Sequence, residues 1–429
     1  MTGDAAWIVF LENFAPVFTA PSLEIFCRIA TAWVLCPGRR TVTRLYLLAE
    51  PAQQRAHDAY HRFFREGAWD MDTLWEILAR FLTARFYPEG VIRLDLDDTL
   101  FHKSGRKVAG AAWWRDAVAS TGHKVVHALG MNLVVLTLRV TPPWGGEPLG
   151  LPVLVRLHTK GGPGLMDIAE AMLRQFASWF PDRDIFLTAD GFYAPLAGRR
   201  PPRSHLRSRM RRDAALYLPP PPRRKGQRGR PRKRGARLPT PVQLARRMKP
   251  WRLVDVDERG KIRGRLVAAY VVLWYKVCPT DPVLLVISRD PDGKEPDDFF
   301  FTTDVSRAPE MEVSGYAGRW SIEDTFKNTK QYLGGQDPQL RADIGPQRAA
   351  AFSLWLYSTV WAWYLQIYGM KRSWNPLPWY TNKSTPSFLD ALAALRGVLW
   401  RQRVFSISEN TSLNAKILNT LIHTLAHAA

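Results

Sequence analysis

The sequence predicts an α/β protein: a mixed sheet core split by a β-rich insertion, with a helical region before it and a helical tail after it. Three observations predict this. Two apolar runs of strand character end in aspartate, one at Asp97 and Asp98 and one at Asp190. Four strand-like runs crowd between residues 250 and 306. Apolar residues recur at helical spacing over the first 88 residues and again from residue 346 onward.

Residues 1–88 contain EIFCRIATAWVLC, TVTRLYLLAE and DTLWEILARFL, with Pro and Gly at the breaks, which predicts a bundle of four or five short helices. GRRTVTRLYLL after Pro37 has the layout of the second helix of a helix-turn-helix, with Arg39, Arg40 and Arg44 toward DNA. A helical domain packed for its own sake is the plainer alternative. Asp4 and Glu12 interrupt the first apolar run, so no signal peptide is expected.

Residues 89–196 carry the two strand-end acids. VIRLDLDDTLF alternates with period two and ends in Asp97, Asp98 and Thr99 before the basic turn HKSGRK. DIFLTADGFYA runs into Asp190 and then Gly191. Either aspartate alone could simply cap a turn.

Residues 197–249 read as a basic linker. Between Arg199 and Lys249 stand nineteen Lys or Arg and one acid, Asp213, so this stretch carries +18 of the chain's +21. Such a segment repels itself unless it meets a polyanion. PPPPRRKGQRGRPRKRG is too rich in Pro, Gly and Arg to form a core. Its candidate DNA contacts are Arg228, Arg230, Arg232, Lys233 and Arg234. GRPRK, from Gly229 to Lys233, resembles the AT-hook, in which an extended Arg-Pro-Arg follows a narrow minor groove. An unstructured linker touching phosphates only is the alternative.

Residues 250–306 supply WRLVDVD, GRLVAAYVVLWYKV, DPVLLVISRD and FFFTTDVS, four strands of which the last two form a hairpin returning the chain to the core. Residues 307–370 open with YAGRWSIEDTFKNTK, where Tyr316, Arg319, Glu323 and Lys330 are three, four and seven residues apart. On one helix these side chains fall within roughly a 60° sector, placing a carboxylate between two cations and a phenol. A solvated face of scattered charges is the alternative. AAAFSLWLYSTVWAWYLQIY follows; Ser353, Ser358, Thr359, Gln366 and many aromatics favour a helix packed on the sheet over a membrane span. Residues 371–429 hold FLDALAALRGVLW and SLNAKILNTLIHTLAHA, expected as C-terminal helices.

The order of strand-end Asp98, strand-end Asp190 and helical Glu323 within Tyr316-Arg319-Glu323-Lys330 resembles the Tyr-Arg-Glu-Lys signature of bacterial insertion-sequence transposases of the DDE class. The resemblance implies a ribonuclease-H-like catalytic core, split by a mainly β insertion between the second Asp and the Glu. It also implies a helical domain that recognises transposon ends. Asp98, Asp190 and Glu323 are then the catalytic and metal-binding residues, holding two Mg²⁺ ions for which Mn²⁺ substitutes. The implied reaction is cut-and-paste transposition: cleavage of double-stranded DNA at the element's ends, then strand transfer into a target. The family's first Asp commonly precedes Thr or Ser, which selects Asp98; Asp97 stays open. Tyr316, Arg319 and Lys330 would hold backbone phosphates, and His102, Lys103, Arg106 and Lys107 would grip the same strand. Action at two ends implies a homodimer or larger assembly on DNA, in a bacterial cytoplasm, associated with the nucleoid and with no membrane.

His and Cys clusters are absent, which argues against zinc. Three cysteines, an odd number without metal spacing, suit a reducing compartment. Trp113 and Trp114 are candidates for stacking on unpaired bases. Two other readings stand beside this one. A catalytically inactive, domesticated transposase would bind DNA without cutting it. DLDDTLF also fits the DxDxT loop of haloacid-dehalogenase-like phosphatases, with Asp95 as nucleophile and Asp97 as acid/base. That family needs a later pair of acids after a strand, where Asp190 stands alone before Gly-Phe-Tyr.

Overall fold

The structure is a computed structural model and describes residues 3–105, 107–222, 229–247, 250–371, 374, 380–407 and 415–427. The N-terminal region forms α1 (Gly3–Glu12), α2 (Ala20–Leu35), α3 (Val42–Ala49), α4 (His57–Arg65) and α5 (Met71–Phe86). Local chemistry sets their starts: the Thr41 side chain accepts from the Arg44 amide ahead of α3, and Asp70 accepts from the Thr73 amide ahead of α5. There follow β1 (Ile92–His102), β2 (Ala112–Arg115), β3 (His127–Val140), β4 (Leu149–His158), α6 (Leu165–Trp179), β5 (Ile185–Ala189) and β6 (Ser204–Arg209). After α7 (Pro241–Arg247) come β7 (Arg252–Glu258), β8 (Lys261–Val272), β9 (Val283–Arg289) and β10 (Asp298–Thr302). The chain ends with α8 (Pro309–Ala317), α9 (Ser321–Tyr332), α10 (Gly345–Ile367), α11 (Phe388–Ile407) and α12 (Ala415–His427).

All ten strands among the described residues belong to one mixed sheet, ordered β2-β3-β1-β5-β6-β10-β9-β8-β7, with β4 also paired to β3. β1 lies antiparallel to β3 and parallel to β5, and β5 is parallel to β6. A parallel pair needs a crossover; α6 supplies it between β4 and β5, and a 3-10 helix, Gly191–Gly198, links β5 to β6.

Three features bear on the domain organisation. The insertion continues the core sheet: β10 pairs antiparallel with β6 at Phe300↔Arg209 and extends it through β9, β8 and β7. The basic linker is partly folded: it contains β6 and α7. Its first arginines find acids elsewhere, with Arg199 on Asp167, Arg200 on Asp281, Arg203 on Asp184, Arg207 on Glu312 and Arg209 on Asp298. A charge count along the chain therefore overstates the charge left for a partner. Finally, the N-terminal helices share their core with the rest: Phe14 and Phe26 pack on Trp355 of α10 with ring centroids 4.9 and 5.3 Å apart. α10 is buried on all sides along most of its length. Among the described residues no helix is long and apolar enough to cross a membrane.

Candidate active site

β5 ends beside the middle of β1: β1 continues to His102, still paired with β3, so Asp97 and Asp98 lie within the strand and do not close it as the sequence pattern suggested. The register of β1 and β5 pairs Leu96 with Ala189, so continuing it by one residue sets Asp97 beside Asp190. β6 follows the same step from Thr188↔Arg207, which brings Arg209 level with Asp190. Alternation along β1 sends neighbouring side chains to opposite faces. Asp98 turns toward the 3-10 helix after β5, where its Oδ1 accepts from the Tyr193 hydroxyl at 2.9 Å. Asp97 turns toward the run from α8 to α9, where Arg319 donates from Nη1 to its Oδ2 at 2.5 Å. Its Oδ1 accepts the Asp98 amide at 2.9 Å.

Asp190 caps the 3-10 helix, its Oδ1 accepting the Phe192 and Tyr193 amides at 2.9 and 3.4 Å. Burial pushes the Asp97 carboxyl up to about 7; Arg319 opposes this, and the charges of Asp190 and Asp98 add to it. Burial also raises Asp98, against hydrogen bonds from Tyr193 and Asn132. Glu323 joins through Arg319, whose Nη2 donates to Oε1 at 2.9 Å. Three acids thus cluster where β5 ends beside β1, and one guanidinium ties the fourth to them.

The four signature residues do not share one straight helix. Tyr316 lies in the last turn of α8, Arg319 sits in a 3-10 turn, Gly318–Trp320, and Glu323 and Lys330 lie on α9. Tyr316 packs on Phe300 with centroids 4.8 Å apart, and Arg209 and Arg319 lie 5.4 and 5.6 Å over its ring. Lys330 lies 5.7 Å over Phe101, with its pKa lowered by burial.

Other expected contacts go elsewhere. Lys103 donates to the carbonyls of Gln336 and Pro338 at 3.0 and 3.4 Å, and His102 pairs with Asp116 at 2.8 Å. Lys107 is exposed, and Arg106 and Arg228 lie outside the described residues. Arg230, Arg232 and Lys233 are exposed, and Arg234 stacks 4.4 Å over Tyr217. Tyr217 pairs with Leu273, beyond the end of β8. The level of Arg209 crosses β8 at Ala269, so this basic stretch sits toward the opposite end of the sheet from the acids. Arg40 is buried, its amide donating to Asp337, so it faces no DNA. Trp113 is exposed on the edge strand β2, whereas Trp114 packs on His158 with centroids 4.5 Å apart. Asp95 is fully buried and chelated by Arg139, with Nε at 2.9 Å. No substrate reaches it as a nucleophile, which removes the phosphatase reading.

Sequence reasoning missed Tyr193, Asn132, Arg209 and Trp320. Asn132 carries a usable signal as one of three polar residues, with Thr137 and Arg139, in the otherwise apolar run MNLVVLTLRV. Trp320 gains its place from a distant hairpin: the two-residue β7–β8 turn, Arg259 and Gly260, has φ of 58° and 75°, the geometry of a tight type I′ turn. It lays Arg259 3.8 Å over the Trp320 ring. A cavity of about 490 Å³ opens here, lined among others by Arg209, Arg259, Arg265, Tyr316, Arg319 and Trp320.

The donors gathered here are carboxylate oxygens, which suit a hard ion such as Mg²⁺. Among the described residues no group of three or more His, Cys, Asp or Glu is arranged to hold a metal ion as it stands. Arg319 lies between Asp97 and Glu323.

Residues 16–266 match the family described as DDE superfamily endonuclease, a span that includes Asp97, Asp98 and Asp190 and stops short of Glu323. A cryo-EM structure of the piggyBac transposase synaptic complex with hairpin DNA is 9% identical and covers 94% of this chain and 76% of its own. Its TM-score of 0.38 is too low to carry an argument. No curated protein matches the chain.

Proposed function

The chain belongs to the DDE superfamily endonuclease family, and from that premise we propose that it is a transposase that cuts DNA at the ends of a mobile element and joins the freed 3′ ends to a target. The observation carrying this reading is the meeting of Asp97 and Asp98, in the middle of β1, with Asp190 at the end of the parallel strand β5, and with Glu323 tied in through Arg319. The order β4-β3-β1-β5-β6, with the first three antiparallel and the last two parallel, supports a ribonuclease-H-like core. Tyr316, Arg319, Glu323 and Lys330 support the insertion-sequence branch with the Tyr-Arg-Glu-Lys signature.

Asp97, Asp190 and Glu323 would hold the metal, and Asp97 takes precedence over Asp98 because its side chain faces α9. Asp98, fixed by Tyr193, would hold the strand in shape. Mg²⁺, when bound, supplies charge stabilisation at the phosphate and a more acidic water. Arg319, Lys330 and Arg209 would hold the scissile strand by charge-assisted bonds to phosphates, with Trp320 and Tyr316 forming an apolar wall beside it. Double-stranded DNA is the substrate, and two ends require at least two copies of the chain in the working complex.

The test is nicking and joining of DNA carrying the element's own ends in Mg²⁺ or Mn²⁺. Wild type should nick and join. Asp190→Ala should bind the same DNA with similar affinity and lose about 10³-fold or more in cleavage rate, an effect of several kcal/mol on the barrier. Binding without any nicking by the wild type would leave a DNA-binding protein that is not an enzyme.

A further inference from the structure

Arg319 occupies an unusual position for a residue meant to hold DNA. Its Nη1 and Nη2 are committed to Asp97 and Glu323, while its Nε is buried and has no hydrogen-bond partner among the described residues. Burial lowers its pKa, but Asp97, Tyr316 and Glu323 outweigh this and raise it. The Asp97 carboxylate has both oxygens engaged, Oδ1 by the Asp98 amide and Oδ2 by Arg319. A divalent cation that takes Asp97 and Glu323 as ligands must therefore displace Arg319 from Oδ2. A guanidinium cannot leave by giving up its proton, and moving it off unpaired would strand a charge in a half-buried place. It leaves readily only for another anion. The cavity that Arg319 lines holds six cations, Arg209, Arg259, Lys261, Arg263, Arg265 and Arg319, against the four acids Glu147, Glu258, Glu295 and Asp298, so although Arg209 already pairs with Asp298 the wall stays net positive and would draw a backbone phosphate.

We propose that Arg319 is an exchangeable counter-cation: it holds Asp97 and Glu323 until a DNA phosphate takes it over, so that DNA and the divalent ion bind cooperatively. The inference rests on the reading of Asp97, Asp190 and Glu323 as the metal-holding acids. Its consequence is a site that holds its ion weakly until DNA is present, which guards against stray cleavage. Coupling of this kind is reciprocal: DNA tightens the metal by the same factor that the metal tightens DNA.

The experiment is a Mn²⁺ titration of the full chain, followed by the electron paramagnetic resonance signal of free Mn²⁺. It compares wild type, Arg319→Gln and Asp190→Ala, each with and without a 30-base-pair duplex, with circular dichroism as a check on folding. Without DNA, Arg319→Gln should bind Mn²⁺ at least about fivefold more tightly than wild type, at the low end of ordinary coupling between sites. Adding duplex should tighten wild type by a similar factor and Arg319→Gln by much less. If Arg319→Gln binds Mn²⁺ no better than wild type while Asp190→Ala binds it worse, the counter-cation role is overturned and the metal site stands. If Asp190→Ala binds Mn²⁺ as well as wild type does, the acids do not form the metal site, and both readings fall. Should Arg319→Gln not fold, the duplex arm decides: Mn²⁺ affinity of wild type that is indifferent to DNA overturns the proposal.

Discussion

Lys103 illustrates how a residue of the right type is diverted by its surroundings. Following the two acids of β1, it has the composition of a phosphate grip, yet its ammonium is tied to two carbonyls of the 336–338 loop. Burial pushes its pKa down to about 8, against the pull of Asp337. An unfolded lysine titrates near 10.4, so between about pH 8 and 10.4 the unfolded chain binds the extra proton and stability rises with pH. In urea unfolding at pH 7.5 and 9.5, wild type should therefore gain stability relative to Lys103→Met at the higher pH. Parallel behaviour of the two proteins would mean that the ammonium is not desolvated. Asp97 and Asp98 make the same point differently. Their neighbourhood in the chain singles out both, and only the direction each side chain takes from β1 separates them.

At the level of elements, α8 has to be pinned so that the 3-10 turn after it presents Arg319 to Asp97. A buried triad does this. Arg207 of β6 donates from Nε and Nη2 to Glu312 of α8 at 2.8 and 3.0 Å, and Arg307 donates to the same carboxylate at 2.6 Å. Glu312 is fully buried and Arg207 nearly so, and both guanidiniums lie over Phe186 of β5, at 4.7 and 4.5 Å. Removing one partner of such a group leaves an uncompensated charge, so Glu312→Ala should lose about 3–5 kcal/mol of stability in denaturant titration. A loss below about 1 kcal/mol would show that the guanidiniums rehydrate. None of this was legible in advance. Arg207 stands in a stretch so basic that composition masks a strand, and Glu312 reads as an ordinary surface acid at the start of a helix. The four strands of the insertion were legible, because β-branched and aromatic residues between turn signals need no distant partner to be recognised.

For the whole molecule, the separation of charge matters most. The acids and the cavity lie at one end of the sheet, and the exposed Arg230, Arg232 and Lys233 lie toward the other. DNA contacts there add affinity without touching the chemistry. Replacing these three by Ala should weaken DNA binding and reduce the slope of log K against log salt by up to about 3, near 0.9 per phosphate released. The nicking rate at saturating DNA should stay within about twofold. A drop in that rate with an unchanged slope would place the basic stretch at the site itself.

Local patterns were enough to place the helical regions at both ends, the four insertion strands and the helix bearing Glu323, and to single out the acids at 97, 98 and 190, although β1 runs on to His102 where the pattern had it stop at Thr99. These depend on periodicity and on residue types within a dozen positions of one another. Tertiary structure alone decided that the insertion extends the core sheet, that Asp95 is locked on Arg139, that Asp97 and not Asp98 faces Arg319, and that most of the first arginines after residue 199 are already paired. The reason is range: strand pairing and ion pairing here join residues from 19 to 222 positions apart. Where those meet is set by the register of β1, β5, β6 and β10, which no local pattern records.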